Sequence, residues 1–439
     1  MPRGNILLNQ LNGGEVSPRL DTRSDLEKYR SACRVLENMI PFVEGGATKC
    51  PGTYFVIETK DSSKKSRIVK FHFSTIQAYA LEVGDKYIRF YKKDGQIVTT
   101  YSAWVTATDY YPGKLVTNAG SYYRCLIYHT SGVFATDLAA GKWVITAGAT
   151  DTTYEIPTPY LEADLFDLDM STQTADVLFI FHESYPPAKL ERHDHDDWRL
   201  VELYCVASAD KAITGITQAN PGVVTCTGHG FETGDQVYIQ SVAGMVEVNA
   251  ATFTITAIDA NSFSIGVNTT TYTPYTSAGT ATNRLFYADG KYPACGCLYE
   301  QRLALAGADD TPTQIDLSAS AEHENFIQDP DDDSAAISHT LDSKKVDRIR
   351  WMIGQEILVI GTSGGVWRFG SSNITEPVTA TNVMAKKQVP YGVARIQPEM
   401  VGDSILWVTR SGRTVRNFLY SLEADKWKAP DVTRIANHI

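Results

Sequence analysis

No stretch of this 439-residue chain comes near the roughly 20 consecutive apolar residues that a membrane-spanning helix needs, so no such helix is expected. The opening "MPRGNILLNQLNGGE" carries one arginine and only a short apolar patch. No secretory signal is visible there, and folding in a cytoplasm is the expectation. Cysteine is sparse and unpatterned: Cys33, Cys50, Cys125, Cys205, Cys226, Cys295 and Cys297 make an odd seven, which argues against a disulfide framework. Cys295 and Cys297 stand too close for an ordinary metal pair and have no second pair nearby, so reduced, buried thiols are expected. Positive charge is also short. Lys and Arg number 40 against 51 Asp and Glu, which leaves a net charge of −11 and none of the basic footprint of a protein that grips nucleic acid.

Enzyme signatures are missing as well. "GTSGG" (361–365) has neither the Gly-Lys-Ser/Thr of a phosphate-binding loop nor the frame of a nucleophile elbow, and reads as a turn between strands. "DPDDDS" (329–334) fails as a calcium loop, because Ser334 stands at the sixth place and Thr340 at the twelfth. A solvated acidic loop fits it better, inside the run "EHENFIQDPDDD" with six carboxylates and no Lys or Arg. In "ERHDHDDWRL", His193 and His195 would share one face of a strand and could hold a metal; a polar hairpin turn is the alternative. No catalytic residue, cofactor site or metal site is assigned on these grounds.

What is present is β texture. Apolar residues at 43% and charged residues at 21% describe a globular chain, long enough for two to four domains. From Thr53 onward "TYFVIETK", "SRIVKFHFS", "AYALEVG" and "KYIRFYKKDGQIVTT" read as short strands, with Asp94-Gly95 as a hairpin turn. "EILVIGTSGGVWRFG" and "DSILWVTRSGRTVRNFLYSLEADKW" repeat the pattern near the end. Strands grouped in threes and fours suggest propeller blades or a sandwich. Helical spacing occurs once: Ser24 and Glu27 form a capping box, and Leu26, Tyr29, Cys33 and Leu36 follow on one face.

Two segments interrupt this texture. Residues 104–148 are framed by Trp104 and Trp143 and hold Tyr110, Tyr111, Tyr122 and Tyr123. Those rings either build a small core or stack on sugar rings. Residues 206–283 are rich in threonine, with one Lys against five Asp and Glu. Setting aside 1–52, 104–148 and 206–283 leaves 264 residues, or about six blades at roughly 40–45 residues each. The expected fold is therefore mainly β: an N-terminal arm (1–52), a propeller-like body in three pieces (53–103, 149–205, 284–439) and two small inserted β domains (104–148, 206–283).

The N-terminal residues carry a resemblance. Gly14, Glu15, Ser17 and Pro18, then Arg23, Asp25, Leu26 and Tyr29, then Leu36, Asn38, Gly45, Gly46, Pro51 and Gly52 are similar to the signature of the tail nozzle family of short-tailed bacteriophages, also called tail tubular protein B. That family has Arg where this chain has Cys50, so the salt bridge expected there is in doubt. Blocks within 154–200, 299–320 and 346–370 resemble further parts of the family. Residues 104–148 resemble a chitin-binding-type module. Residues 206–283 resemble the small β domain named after the first catalytic-cysteine half-domain (FCCH) of ubiquitin-activating enzymes, a name that implies no ubiquitin chemistry.

The resemblance implies a non-enzymatic virion component, made in the host cytoplasm and assembled as a homohexamer under the head-tail adaptor. The ring would pass double-stranded DNA without binding it specifically and would carry fibres or spikes. It also implies an arm docking through Asp21, Arg23, Asp25, Leu26, Tyr29 and Arg30; an arm folded on its own body is the alternative. An acidic wall would avoid holding phosphates, or the acids could lie outside for solubility. Host surface glycan is a candidate ligand for the aromatic insert. The rival reading is a propeller-based glycan adhesin or a polysaccharide-degrading enzyme.

Overall fold

The computed structural model describes residues 10–436 except 75–77, 94, 149–151, 344, 374–375 and 425. The chain is mainly β and divides into two compact units. The larger comprises Ile57–Thr362 and Trp367–Lys387; the smaller comprises Met1–Val56, Ser363–Val366 and Gln388–Ile439.

The larger unit is built from antiparallel meanders. The first sheet joins Arg67–His72, Ala78–Gly84, Tyr87–Lys92 and Glu155–Pro157, with Gly95–Gln96 alongside. Asp94 of the expected turn lies outside the described residues, while the strands on either side of it pair antiparallel. Strict alternation makes the first strand: Val69 and Phe71 are buried, and Ile68, Lys70 and His72 face out. The second sheet runs Gln173–Thr174, Val177–His182, Tyr185–Asp194 and Asp197–Glu202. Trp198 fuses the two cores, stacking on Phe90 at 4.5 Å and meeting Phe71 edge-on at 4.8 Å.

A third sheet comprises Cys295–Tyr299, Arg302–Ala306, Gln314–Leu317 and Ile337–Thr340; a fourth comprises Ile349–Gly354, Leu358–Thr362, Gly365–Ser371 and Val383–Val389. Arg302–Ala306 is buried throughout, as a central strand covered on both faces must be. In the smaller unit a fifth meander joins Glu399–Val401, Ser404–Val408, Val415–Ser421 and Lys426–Lys428, with Trp427 stacked on Phe418 at 4.5 Å. Sequential four-stranded antiparallel sheets are the unit of a propeller blade. Among the described residues the body has four such sheets and the five-stranded first sheet, five blade-like units rather than six. Irregular stretches, including 158–172 and 318–336, absorb the remaining length.

Two segments fold on cores of their own. The first has a sheet of Ser102–Ala103, Leu115–Asn118, Ser121–Cys125 and Trp143–Ile145, a short pair Asp109–Tyr110 with His129–Thr130, and the helix Phe134–Ala139. The second packs two four-stranded sheets over 211–284 around Val224, Val237 and Phe263. Each leaves and rejoins the body at neighbouring residues: Val98 bridges Thr153, and Val206 bridges Arg284. Close entry and exit points are what let a loop carry a domain.

Two local expectations are corrected. Residues 24–36 form no α-helix. Glu27–Arg30 is a single 3-10 turn with Leu26 rather than Ser24 before it, because Ala32–Cys33 is taken up in parallel pairing with Gly14–Glu15. The segment "TYFVIETK" belongs to no sheet, in spite of its strong β composition.

Candidate functional site

The N-terminal segment closes on itself through its motif residues. Gly13 lies so close to Ser31 that a Cβ would meet its carbonyl oxygen at 2.7 Å, and Gly14 has φ +71. Glu15 then accepts the Leu36 N–H at 2.8 Å. The Gly-Glu pair thus fastens two stretches of chain about twenty residues apart.

The expected docking charges meet inside the chain. Arg23 forks onto Asp25 at 2.8 and 2.7 Å, and Arg34 reaches Asp21 at 3.5 Å. The Tyr29 hydroxyl donates to the Asp21 carbonyl at 2.9 Å. Arg30 is exposed. The Arg23–Asp25 pair is over half exposed and screened by water, so a partner could displace it at little cost. Leu26 and Tyr29, with Val16, Leu20 and Ile435, line an apolar hollow of about 230 Å³. None of the residues expected to dock belongs to the exposed apolar residues that follow the motif in this unit. Val35, Met39, Ile40, Phe42, Val43, Tyr54, Phe55 and Val56 are all exposed, and Ile57 follows them.

The aromatic insert is sorted by burial. Tyr110 and Trp143 are 5% and 3% exposed, which corrects their assignment to sugar contact: a buried ring has no free face to stack. Trp104 and Tyr123 pack against the same cluster through Phe134. Tyr122 is partly buried and meets Tyr101 edge-on at 4.8 Å. Tyr111 alone of the six combines partial exposure with a place beside a cleft, its ring under the Arg199 guanidinium at 3.7 Å and beside Tyr128 at 4.8 Å.

That cleft, of about 560 Å³, lies between the insert and the turn that follows Tyr185–Asp194. The turn is the "HDHDD" stretch, and the structure makes it a hairpin turn. His193 contacts Glu191 at 3.2 Å, and no group of three metal-ligand side chains occurs among the described residues. Asp109, Asp194, Asp196 and Asp197 face the cleft with Lys114 and Arg199. Each carboxylate is oriented by a neighbour: Thr130 donates to Asp109 at 2.6 Å, the His195 N–H to Asp194 at 2.7 Å, Thr99 to Asp196 at 2.6 Å, and Arg199 to both oxygens of Asp197. Fixed acceptors beside a tyrosine suit a polyhydroxylated ligand.

A second cleft of about 420 Å³ is basic. Lys60, Lys86, Arg89 and Arg124 surround the buried Glu155. Glu155 receives Lys60 at 2.7 Å, Arg89 at 3.0 Å and Arg124 in a short contact, so one carboxylate joins the insert, the first sheet and the segment before it. Burial pushes the Glu155 carboxyl up, but Arg124, Lys60 and Arg89 outweigh burial and hold it below the ordinary range. Sequence reasoning missed this cluster, because the three cations that pair with Glu155 stand 31 to 95 positions before it and no motif connects them.

Comparison with known proteins matches the second insert. The family model for the ubiquitin-activating enzyme E1 FCCH domain matches residues 219–284. Ubiquitin-like modifier-activating enzyme 6 of mouse (Mus musculus) and of human (Homo sapiens) are each 44% identical over 72 residues, which is 16% of this chain. The match spans only 7% of either enzyme, so it describes the second insert and not the whole chain. Among solved structures, a Lactobacillus plantarum protein aligns with TM-score 0.29 and 10% identity, covering 83% of this chain and 95% of its own. The phage phi92 endosialidase aligns at 0.18 and 11%, covering 75% and 53%. A protein described as a 6-phosphogluconolactonase from Bacteroides fragilis aligns at 0.25 and 10%, covering 77% and 93%. At such scores none of the three bears on what this chain does, and the blade-like description of the body rests on its own sheets.

Proposed function

We propose that this chain is a structural, non-enzymatic subunit of a short-tailed bacteriophage tail, forming a closed ring of about six copies below the head-tail adaptor. Double-stranded DNA passes through the ring, and fibres or spikes attach to it. The observation that carries this reading is the N-terminal segment. Its nozzle-type motif residues are engaged in closing the arm, and beside them stand nine large exposed apolar residues between Val35 and Ile57. Large exposed apolar side chains grouped at 39–43 and 54–57 are the kind of surface that a partner covers. The net charge of −11 per copy suits a channel that must not hold phosphates.

Mass photometry of the purified full chain, alone and mixed with the adaptor, tests it. A ring at a multiple of 48.4 kDa in either state is expected, and a monomer in both overturns the reading. A second reading, a glycan adhesin or a polysaccharide-degrading enzyme, is favoured by the acidic cleft beside Tyr111. Saturable binding or turnover of a host polysaccharide by a monomer would select it.

A further inference from the structure

Residues 52–59, "GTYFVIET", combine three properties that rarely coexist. Their composition is that of a strand, with an aromatic pair followed by two β-branched residues. Tyr54 is 79% exposed and Phe55 72%, with Val56 at 43% and Ile57 at 46%. Among the described residues, no backbone hydrogen bond involves any N–H or C=O from Gly52 to Thr59; the ordered bonds resume with the Lys60 N–H on Glu82 at 3.2 Å. Eight backbone units with nothing to bond and apolar side chains turned to water are what a sheet edge recruits.

The neighbouring hairpin, Met39–Pro41 with Ala47–Lys49, has the same character. It is a two-stranded ribbon, marginal by itself, with Met39, Ile40, Phe42 and Val43 exposed. Taking ~175 Å² per large side chain, the exposed fractions of the nine residues sum to roughly 900 Å², close to the ~800 Å² per partner of a standard interface.

We infer that residues 52–59 are a donor strand that adds to an open sheet edge of a second copy of this chain. The inference rests on the ring reading above and supplies its joint. Such an edge exists in the chain. Arg67–His72 ends its sheet; the outward N–H and C=O of His72 are both held by the Gln173 side chain, at 3.1 and 3.0 Å, so the open part of the edge lies before it. By the period of two, Lys70 and Ile68 turn their backbone the same way with no partner among the described residues, and Ile68 is 64% exposed. Donor and acceptor are different surfaces, so the contact is head-to-tail. A head-to-tail contact closes into a ring when its rotation permits, rather than stopping at a dimer.

The test uses the full chain. Hydrogen exchange by mass spectrometry is measured below and above the assembly concentration, and proline and alanine are placed in turn at Tyr54, Phe55, Val56 and Ile57. Alanine removes only the side chain; proline also removes the N–H. A donated strand bonds along one edge and leaves the other open. The proline-to-alanine ratio of dissociation constants should therefore alternate, about 5- to 10-fold at every second position and at most about twofold between. Amides 52–59 should become protected on assembly. Assembly with these amides still exchanging freely, or with a flat ratio, overturns strand donation and leaves the ring standing. A wild-type chain that stays monomeric alone and with the adaptor overturns both.

Discussion

Replacing Glu155 by glutamine is the most informative single perturbation of the body. The change keeps the shape and removes one negative charge from the centre of Lys60, Arg89 and Arg124. The Arg89 and Arg124 side chains are 15% and 10% exposed, so water cannot take over the lost role. Removing one partner of a buried ion pair costs about 3–5 kcal/mol, a large part of the ~5–15 kcal/mol that holds a domain. At a urea slope of ~2 kcal/mol/M, the midpoint of the larger unit should fall by roughly 1.5–2.5 M, read by tryptophan fluorescence. The pH dependence has a definite sign. The folded-state pKa of Glu155 lies below its ordinary 4.5, so its contribution is complete above that pH and is lost as pH falls through the folded value. Wild type and Glu155→Gln should therefore converge in acid and diverge towards neutrality. A midpoint shift under ~0.5 M with parallel pH profiles would mean that solvent screens the cluster and packing alone seats the insert.

Other outcomes follow from burial and geometry. Asp25→Asn should leave the urea midpoint essentially where it is in wild type, since its pair with Arg23 is over half exposed and screened by water. Trp143→Ala should cost about 3–5 kcal/mol by emptying the core of the first insert, whereas Tyr111→Ala should leave the melting curve nearly unchanged. Gly354→Ala should lower soluble yield sharply, because the new methyl would sit 2.2 Å from the Leu298 carbonyl oxygen, where neither strand can give way. A thiol reagent should modify Cys33 and Cys50 in the native protein and reach the other five only on unfolding; burial also pushes the Cys125 thiol up to about 12. Burial lowers the pKa of His323 and His339, so stability should decline as pH drops below about 6.5, less steeply in His339→Gln.

Much of the architecture was legible from local pattern. Alternation in "RIVKFH" and the apolar "ILVIGT" marked strands, because a half-buried or doubly buried strand leaves that trace whatever its neighbours are. The second insert was visible in its composition and is matched by a family model over 219–284. The capping box at Ser24 and Glu27 misled, because a helix signal counts for little where Ala32–Cys33 is held in pairing with Gly14–Glu15. "TYFVIETK" misled in the opposite way: β-propensity describes how side chains fit a sheet, and no sheet among the described residues receives them.

By itself the sequence determined the mainly β character, the two interruptions of the body, the reduced state expected of the thiols and the acidic balance. Each of these depends on composition or on spacing between near neighbours. Only the tertiary structure decided which tyrosine keeps a usable face, that Glu155 gathers three cations from distant positions, and that residues 52–59 stay unpaired. Those outcomes depend on which surfaces the folded chain covers, and burial is a property of contacts between remote segments that no local pattern encodes.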